Sequence, residues 1–600
     1  MLKSLGVLVA LLAVGLYYFQ RPNASARVRK PQELNDVYDY IIAGGGTAGC
    51  VLAARLSEDP SVSVLLLEAG GEEEHSWFSH IPALLNYLQL TDFDWRYQTE
   101  PQKHCCGALV NRQGRWPRGK ALGGCSSHNW MNFVRCSPKD YDEWGHDLGN
   151  AGWTYKDVLP YFRKMETNEI DHLQGQNDQH GYSGPIRVNE GYRTPLGESM
   201  AKAIKNAGYK FTDDLNGKDF EAFSWLQFNI NKWGKRMSTA KAFLKPAMGR
   251  ANLHVVVKAH VGKVIIEQKK PQGLVATGVE YFYNNQKYVA RAKTEVIVSG
   301  GAINSPQILL LSGIGPKAQL EKFSIPVLVD NPAVGANLDD HYIAYLEYTT
   351  NASGFIAAHQ LGTPYGYYKA LAEYYLFGTG PLTKSAAEIT GFLKTNLKSS
   401  PGPDLQLYYI DNYPFLDDRI NLAPEAVNRR GDGENRFVLA AVHLHPSDRG
   451  QIRLRSADPF MHPSIEYDYL EDPVDADVLA RGLGMLVDLA KRPELQPFDV
   501  RYAEAGPVPG CEKYEPLSKE YLKCNVKQRS VTLYHPIGTC RMGKKNENSV
   551  VDNQLRVHDV AGLRVVDASV FPAQVSGNTH APTIMVAERA SDLIKASRKR

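Results

Sequence analysis

The chain has 600 residues, and 68 Lys and Arg against 65 Asp and Glu leave a formal net charge of +3. So even a balance argues against a nucleic-acid partner, and 43% hydrophobic residues exclude a chain too polar to bury a core. A single core stops growing at roughly 250–300 residues, so more than one domain is expected.

The first element is an apolar run, Leu5 to Phe19, between Lys3 and Arg21. It is shorter than the roughly 20 residues of a membrane span and has the length of a signal-peptide core. Ala24-Ser25-Ala26 supplies the small residues for cleavage, so residues 1–26 are expected to leave and the protein to be secreted, with no stable membrane association. The alternative is an anchor through residues 5–19, supported by the bulky Tyr17-Tyr18-Phe19 and by Arg21, Arg27, Arg29 and Lys30 behind the run. Two glycosylation acceptors, Asn23-Ala24-Ser25 and Asn351-Ala352-Ser353, matter only on that secretory route. The eight cysteines include no C-x-x-C pair, so no metal site is expected. Cys511 and Cys524 are the first candidates for a disulfide, with Cys105, Cys106 and Cys136 the weaker ones.

Val37 to Ala43 reads as a buried strand, and Gly44-Gly45-Gly46-Thr47-Ala48-Gly49 follows it directly. A helix over Ala48 to Leu56 stops before Asp59-Pro60, and a second strand, Val62 to Leu67, ends in Glu68. This βαβ unit carries G-x-G-x-x-G, formed by Gly44, Gly46 and Gly49. Glycines there let the backbone approach a pyrophosphate, the helix start at Thr47 and Ala48 stabilises its charge, and Glu68 can accept from ribose hydroxyls. A carboxylate at that position disfavours a 2′-phosphate.

Residues 117–136 follow with Gly119, Gly123, Gly124, Ser126 and Ser127 beside the apolar Trp130-Met131 and Phe133-Val134. Such a loop, rich in backbone and hydroxyl groups, suits a flat polar ring. Val296 to Val298 is a third strand; Gly300-Gly301 turns the chain, Ser305 is expected to cap a helix with Pro306 at its first position, and Gly313 to end it.

Two of these stretches, Gly119 to Asn129 and Gly301 to Gly315, resemble the signatures of the glucose-methanol-choline oxidoreductases, FAD enzymes that oxidise alcohols. The resemblance runs from about the first strand to the last helix and is nearest to secreted invertebrate members. It implies an α/β fold in which a discontinuous Rossmann-like FAD domain (36–160, 241–335 and 546–600) is threaded by an α+β substrate domain on an antiparallel sheet (161–240 and 336–545). It places Asn129, Met131, Val261, Gly300, Asp567 and Ala568 at the cofactor with the glycine loops. The string Gly123 to Asn129 resembles the choline-oxidase branch, where the residue matching His128 is bonded to the flavin; a packed histidine beside noncovalent FAD is the alternative.

The middle of the chain says less. Phe437 to Val442 reads as a strand and Val478 to Lys491 as a helix, and five tyrosines between Tyr365 and Tyr375 suit either an aromatic access path or a packed surface. Near the end, Tyr534 to Gly543 and Val575 to Thr583 each hold a histidine within a family motif. By resemblance His535 takes the hydroxyl proton as hydride leaves for flavin N5, and His580 holds the alkoxide oxygen. Pro582, with Ile584, Ala587, Ala590, Leu593 and Ile594, marks a final helix starting beside His580. The expected reaction is oxidation of an alcohol, an aromatic one or a cyanohydrin, with oxygen or another acceptor taking the electrons. A hydroxynitrile lyase is the rival.

Overall fold

Two sheets organise the computed structural model, which describes residues 28–73, 79–176, 178–351, 363–400, 402–411, 435–503 and 508–598. The apolar run at 5–19, the cleavage site and the sequon at Asn23 lie outside the described residues, as do Ala352 and Ser353. Among the described residues no helix is long and apolar enough to cross a membrane.

The first sheet begins with β1 (Val37–Ala43), followed by helix α1 (Thr47–Leu56) and β2 (Val64–Leu67). Both strands are almost wholly apolar, the pattern of strands covered on both faces, and they pair in parallel with Ile41 opposite Leu65. A later stretch adds β3 (Leu253–Val256), β4 (Ala259–Lys269), β5 (Gly273–Tyr283) and β6 (Gln286–Val298), the last ending at helix α2 (Gly301–Leu311). The order is β3-β2-β1-β6-β5-β4, parallel from β3 to β6 and antiparallel from β6 to β4.

The second sheet is antiparallel throughout its main strands, β7 (Tyr342–Thr350), β8 (Ala387–Leu393), β9 (Leu405–Ile410) and β10 (Asn435–His443), in the order β7-β10-β9-β8. Phe223–Trp225 extends it beyond β8. Helix α3 (Pro473–Ala490) covers this sheet with Val478, Leu479, Leu483 and Leu486 buried. It starts earlier than Val478 because Asp472 caps it, accepting from the Val474 amide, with Pro473 at the first position. The chain then returns to the first sheet as β11 (Leu563–Val565), parallel to β6, and closes with helix α4 (His580–Arg598). The expected α/β class, a mixed Rossmann-like sheet joined to an antiparallel one, is the class found.

Several local expectations change. Helix α2 starts at Gly301, one turn before Ser305, so Ser305 is not its cap. The Ser305 hydroxyl instead accepts from the Gly300 amide and donates to the Asp567 carboxylate. Pro306 therefore falls inside the helix, where it lacks the N–H that would bond the Ala302 carbonyl. The Thr539 hydroxyl donates to that carbonyl at 2.7 Å. Cys511 and Cys524 are bridged, whereas Cys105, Cys106 and Cys136 are free and buried. Of the five tyrosines, Tyr374 is buried against Ile81, Leu371 and Leu382 with its hydroxyl donating to the His80 carbonyl, Tyr367 and Tyr375 are partly buried beside it, and Tyr365 and Tyr368 are exposed.

Gly49 sits where α1 crosses the end of β1, and a Cβ there would stand 1.9 Å from the Gly44 carbonyl oxygen. Gly49→Ala is expected to cost about 1–3 kcal/mol through overpacking. A lower thermal unfolding midpoint checks this; an unchanged midpoint contradicts it.

Candidate active site

The carboxyl ends of β1, β2, β6 and β11 open onto one cavity, reached also by the amino ends of α1, α2 and α4. Of the residues singled out in the sequence, Gly44, Gly46, Thr47, Ala48, Glu68, Gly119, Gly124, His128, Asn129, Met131, Val261, Gly300, Asp567, Ala568, His535 and His580 line it. Gly49, Gly123 and Ser126 do not. Gly49 packs α1 against the Gly44 carbonyl. Gly123 makes the turn at φ 87°, and the Ser126 hydroxyl donates back to its carbonyl.

At one end the wall is backbone. Gly44 adopts φ 112°, and a Cβ on it would lie 2.4 Å from the Ser299 carbonyl oxygen. A Cβ on Gly124 would lie 2.7 Å from the Gly46 Cα, so the two glycine loops meet with no room for a side chain. Glu68 accepts from the Gly45 amide at 2.8 Å and the Gly70 amide at 2.7 Å, and its lone pairs exceed those two donors. Burial pushes its carboxyl up to about 7 against the pull of those two amides. Asp567 accepts from the Gly301 amide at 2.8 Å, at the positive end of α2.

The other end holds histidines. His535 is buried, with its backbone amide donating to Asp340 and its carbonyl accepting from Gln574. Burial and the Arg118 guanidinium hold its imidazole down to about 3, so it is neutral at physiological pH. Its Nε2 stands 3.3 Å from Asn578 Nδ2, and its Nδ1 stands 2.8 Å from His341 Nδ1. His580 heads α4, and burial first, then Arg236, lowers it to about 3. No hydrogen bond joins His580 to His535; the residue beside the His535 ring is Asn578, two positions earlier in the same motif. Sequence reasoning passed over Asn578 because a histidine is the stronger chemical signal. Its place just before a buried helix start was the available clue.

A dinucleotide carrying an isoalloxazine ring fits this donor set. Backbone loops and two helix starts face one end, with Glu68 beside them. At the other, the buried Nε2 atoms of His128 and His580 have no partner within the protein, as expected of groups whose partner is a bound molecule. Burial lowers His128 to about 4, so its imidazole is neutral and one of its two ring nitrogens is a lone pair. Met131 and Tyr534, both at the cavity, hold left-handed backbone at φ 62° and 67°, strain of the kind concentrated at functional sites.

Comparison with known proteins agrees with this geometry. The amino-terminal model of the GMC oxidoreductases matches residues 38–343 and the carboxy-terminal model residues 446–587. An oxygen-dependent choline dehydrogenase of Burkholderia ambifaria is 38% identical over 567 residues, 93% of each chain. The crystal structure of a formate oxidase superposes with a TM-score of 0.83 at 26% identity, covering 94% of this chain and 99% of that one. Pyridoxine 4-oxidase from Mesorbium loti gives 0.78 at 27%, covering 92% and 98%.

Glu68→Gln replaces one acceptor oxygen by an amide that faces a backbone N–H. In a His128→Ala background, where no covalent bond can hold the cofactor, FAD binding followed by flavin fluorescence is expected to weaken by about 1–3 kcal/mol, the cost of an unmet buried donor. An unchanged dissociation constant would sink the assignment.

Proposed function

Because this chain belongs to the GMC oxidoreductase family and is an FAD-dependent alcohol oxidoreductase, we propose that His535 and Asn578 carry its chemistry on an uncharged, preferably aromatic alcohol. The observation behind the proposal is the 3.3 Å approach of Asn578 Nδ2 to His535 Nε2 inside the cavity. Gly44, Gly46, Thr47, Glu68, Gly124 and Asp567 would hold FAD, which supplies the hydride acceptor when bound and is reoxidised by oxygen or another acceptor.

His535 Nε2 takes the hydroxyl proton, and the Asn578 amide donates to the oxygen as it gains negative charge. Neutral His535 is the competent form. The Arg118 guanidinium donates to the Tyr534 carbonyl and disfavours a second positive charge on the adjacent imidazole. His580 is the further polar contact at this end, its buried Nε2 without a partner within the protein. Secretion after loss of residues 1–26 belongs to the same reading and is supported by the Cys511–Cys524 bridge, which suits an oxidising compartment.

Substrate class follows from charge. The lining carboxylates, Glu68 and Asp567, are bonded to backbone amides of the glycine-rich loops, and Arg118 is the charged lining side chain beside His535. A quaternary ammonium such as the choline of the Burkholderia relative would meet a cation there. Trp130, Met131, Leu533 and Tyr534 offer apolar surface instead. Anaerobic mixing with benzylic alcohols, cyanohydrins and choline tests the choice: benzylic alcohols are expected to bleach the flavin fastest, and faster bleaching by choline overturns the substrate class.

The rate of bleaching is expected to stay flat through neutral pH and to fall only as acid protonates His535, through about 3. His535→Gln should lower it by about 10²- to 10⁴-fold; a loss below tenfold would remove His535 from the reaction.

His128 is proposed as the flavin's covalent attachment, supported by its neutral, unpartnered Nε2 at the cavity. Acid precipitation is expected to leave yellow colour in the pellet for the wild type and in the supernatant for His128→Ala. Colour released from the wild type would show a noncovalent cofactor.

A further inference from the structure

His341 precedes β7, is fully buried and does not line the cavity, yet it touches the one histidine that does the proton chemistry. Its Nε2 lies 3.0 Å from the Leu444 carbonyl oxygen and its Nδ1 lies 2.8 Å from His535 Nδ1. A carbonyl oxygen only accepts, so His341 Nε2 carries the hydrogen. Neutral imidazole has one N–H, so His341 Nδ1 is a lone pair and also only accepts. Across the 2.8 Å contact the donor must then be His535 Nδ1–H. That leaves His535 Nε2 bare.

A second run of bonds, from β9 of the same sheet, ends on the same imidazole. The Gln406 amide donates to the Tyr408 hydroxyl at 2.7 Å, so the single hydrogen of Tyr408 is left for Asn578 Oδ1 at 3.0 Å. With its oxygen accepting, Asn578 presents Nδ2–H₂ to His535 Nε2, which must accept. Two runs of bonds from different strands thus require one tautomer.

We propose that His341 is a positioning residue whose imidazole fixes His535 as the Nδ1–H tautomer, keeping Nε2 bare toward the cavity for the alcohol's proton. The inference rests on His535 being the proton acceptor. Burial, with the neighbouring His535, His445 and His443, pushes His341 well below the ordinary histidine range and keeps it neutral. When Nε2 takes the hydroxyl proton, His535 becomes an imidazolium, and its Nδ1–H donation to His341 becomes a charge-assisted bond. His341 thereby stabilises the protonated base without bringing a negative charge into the cavity. The backbone holds the pair in line: the Leu533 amide donates to the His341 carbonyl, and the His535 amide to Asp340.

The test uses the FAD-loaded full chain. His341→Leu removes the acceptor, and His341→Asn keeps one near the Nδ1 position. His341→Leu is expected to slow anaerobic flavin reduction by about 10²-fold or more with little change in substrate dissociation constant, and His341→Asn to recover to within about tenfold of wild type. A folded His341→Leu that reduces flavin within about threefold of wild type overturns the proposal, as does an equal loss in both variants. The 15N-histidine spectrum of the wild type, with His535 assigned by its absence in His535→Gln, gives a readout that needs no variant at His341. A protonated Nδ1 and a bare Nε2 are expected; a proton on Nε2 overturns the inference. His535→Gln also separates the two readings. Full reduction rate in that variant removes the base assignment, whereas a normal loss there beside an unimpaired His341→Leu removes only His341.

Discussion

The approach of backbone to backbone at the head of β1 is the constraint on which the site depends. Gly44 at φ 112° lies against the Ser299 carbonyl, and Gly124 against Gly46, so strands from distant parts of the chain and a loop between them share one surface without intervening side chains. Parallel pairing of β1 with β6 sets this up, because Ala43 falls opposite Val298 and both strands end at the same level. Two helix starts then face the same space, and Glu68 and Asp567 anchor themselves on the amides that those turns leave open.

The proton-handling end hangs on this frame through bonds that arise from one missing donor. Pro306 inside α2 frees the Ala302 carbonyl, and Thr539, four residues after His535, occupies it. The loop bearing His535 is thus fastened to the helix that heads the cofactor end. Its other face is held by the second sheet, through His341 beside β7 and through Tyr408 in β9 by way of Asn578. Each sheet therefore fixes a different coordinate of one imidazole: the first its position, the second its tautomer.

Desolvation ties the electrostatics together. His128, His535 and His580 are all buried and pushed down to between about 3 and 4, so the cavity presents neutral ring nitrogens with lone pairs. The same burial pushes Glu68 up to about 7, and its two amide donors keep it from rising further. A site built in this way gathers little net charge, which suits an uncharged alcohol better than a strongly charged partner.

Local order along the chain was sufficient for the βαβ unit, because strand, glycine turn, helix and acid all lie within residues 37–68 and each element is short-range. It was sufficient also for the cavity residues carried by the two glycine-rich signatures, and for the Cys511–Cys524 pair. It failed where a partner lies far away. The start of α2 was misplaced because Ser305 finds Asp567 and Pro306 finds Thr539, neither of them near in sequence. His580 stood out over Asn578 for its chemistry, but only the bond from Tyr408 in β9 to Asn578 sets which side chain stands beside the His535 ring. His341 carried no signal of its own, since a histidine beside a strand becomes a tautomer lock only when another chain segment brings an imidazole within 2.8 Å. Sequence by itself determined the dinucleotide-binding frame, whose interactions are local and backbone-made. The arrangement of the proton-transfer end was decided by tertiary structure, because hydrogen-bond direction depends on which donors and acceptors distant strands bring together.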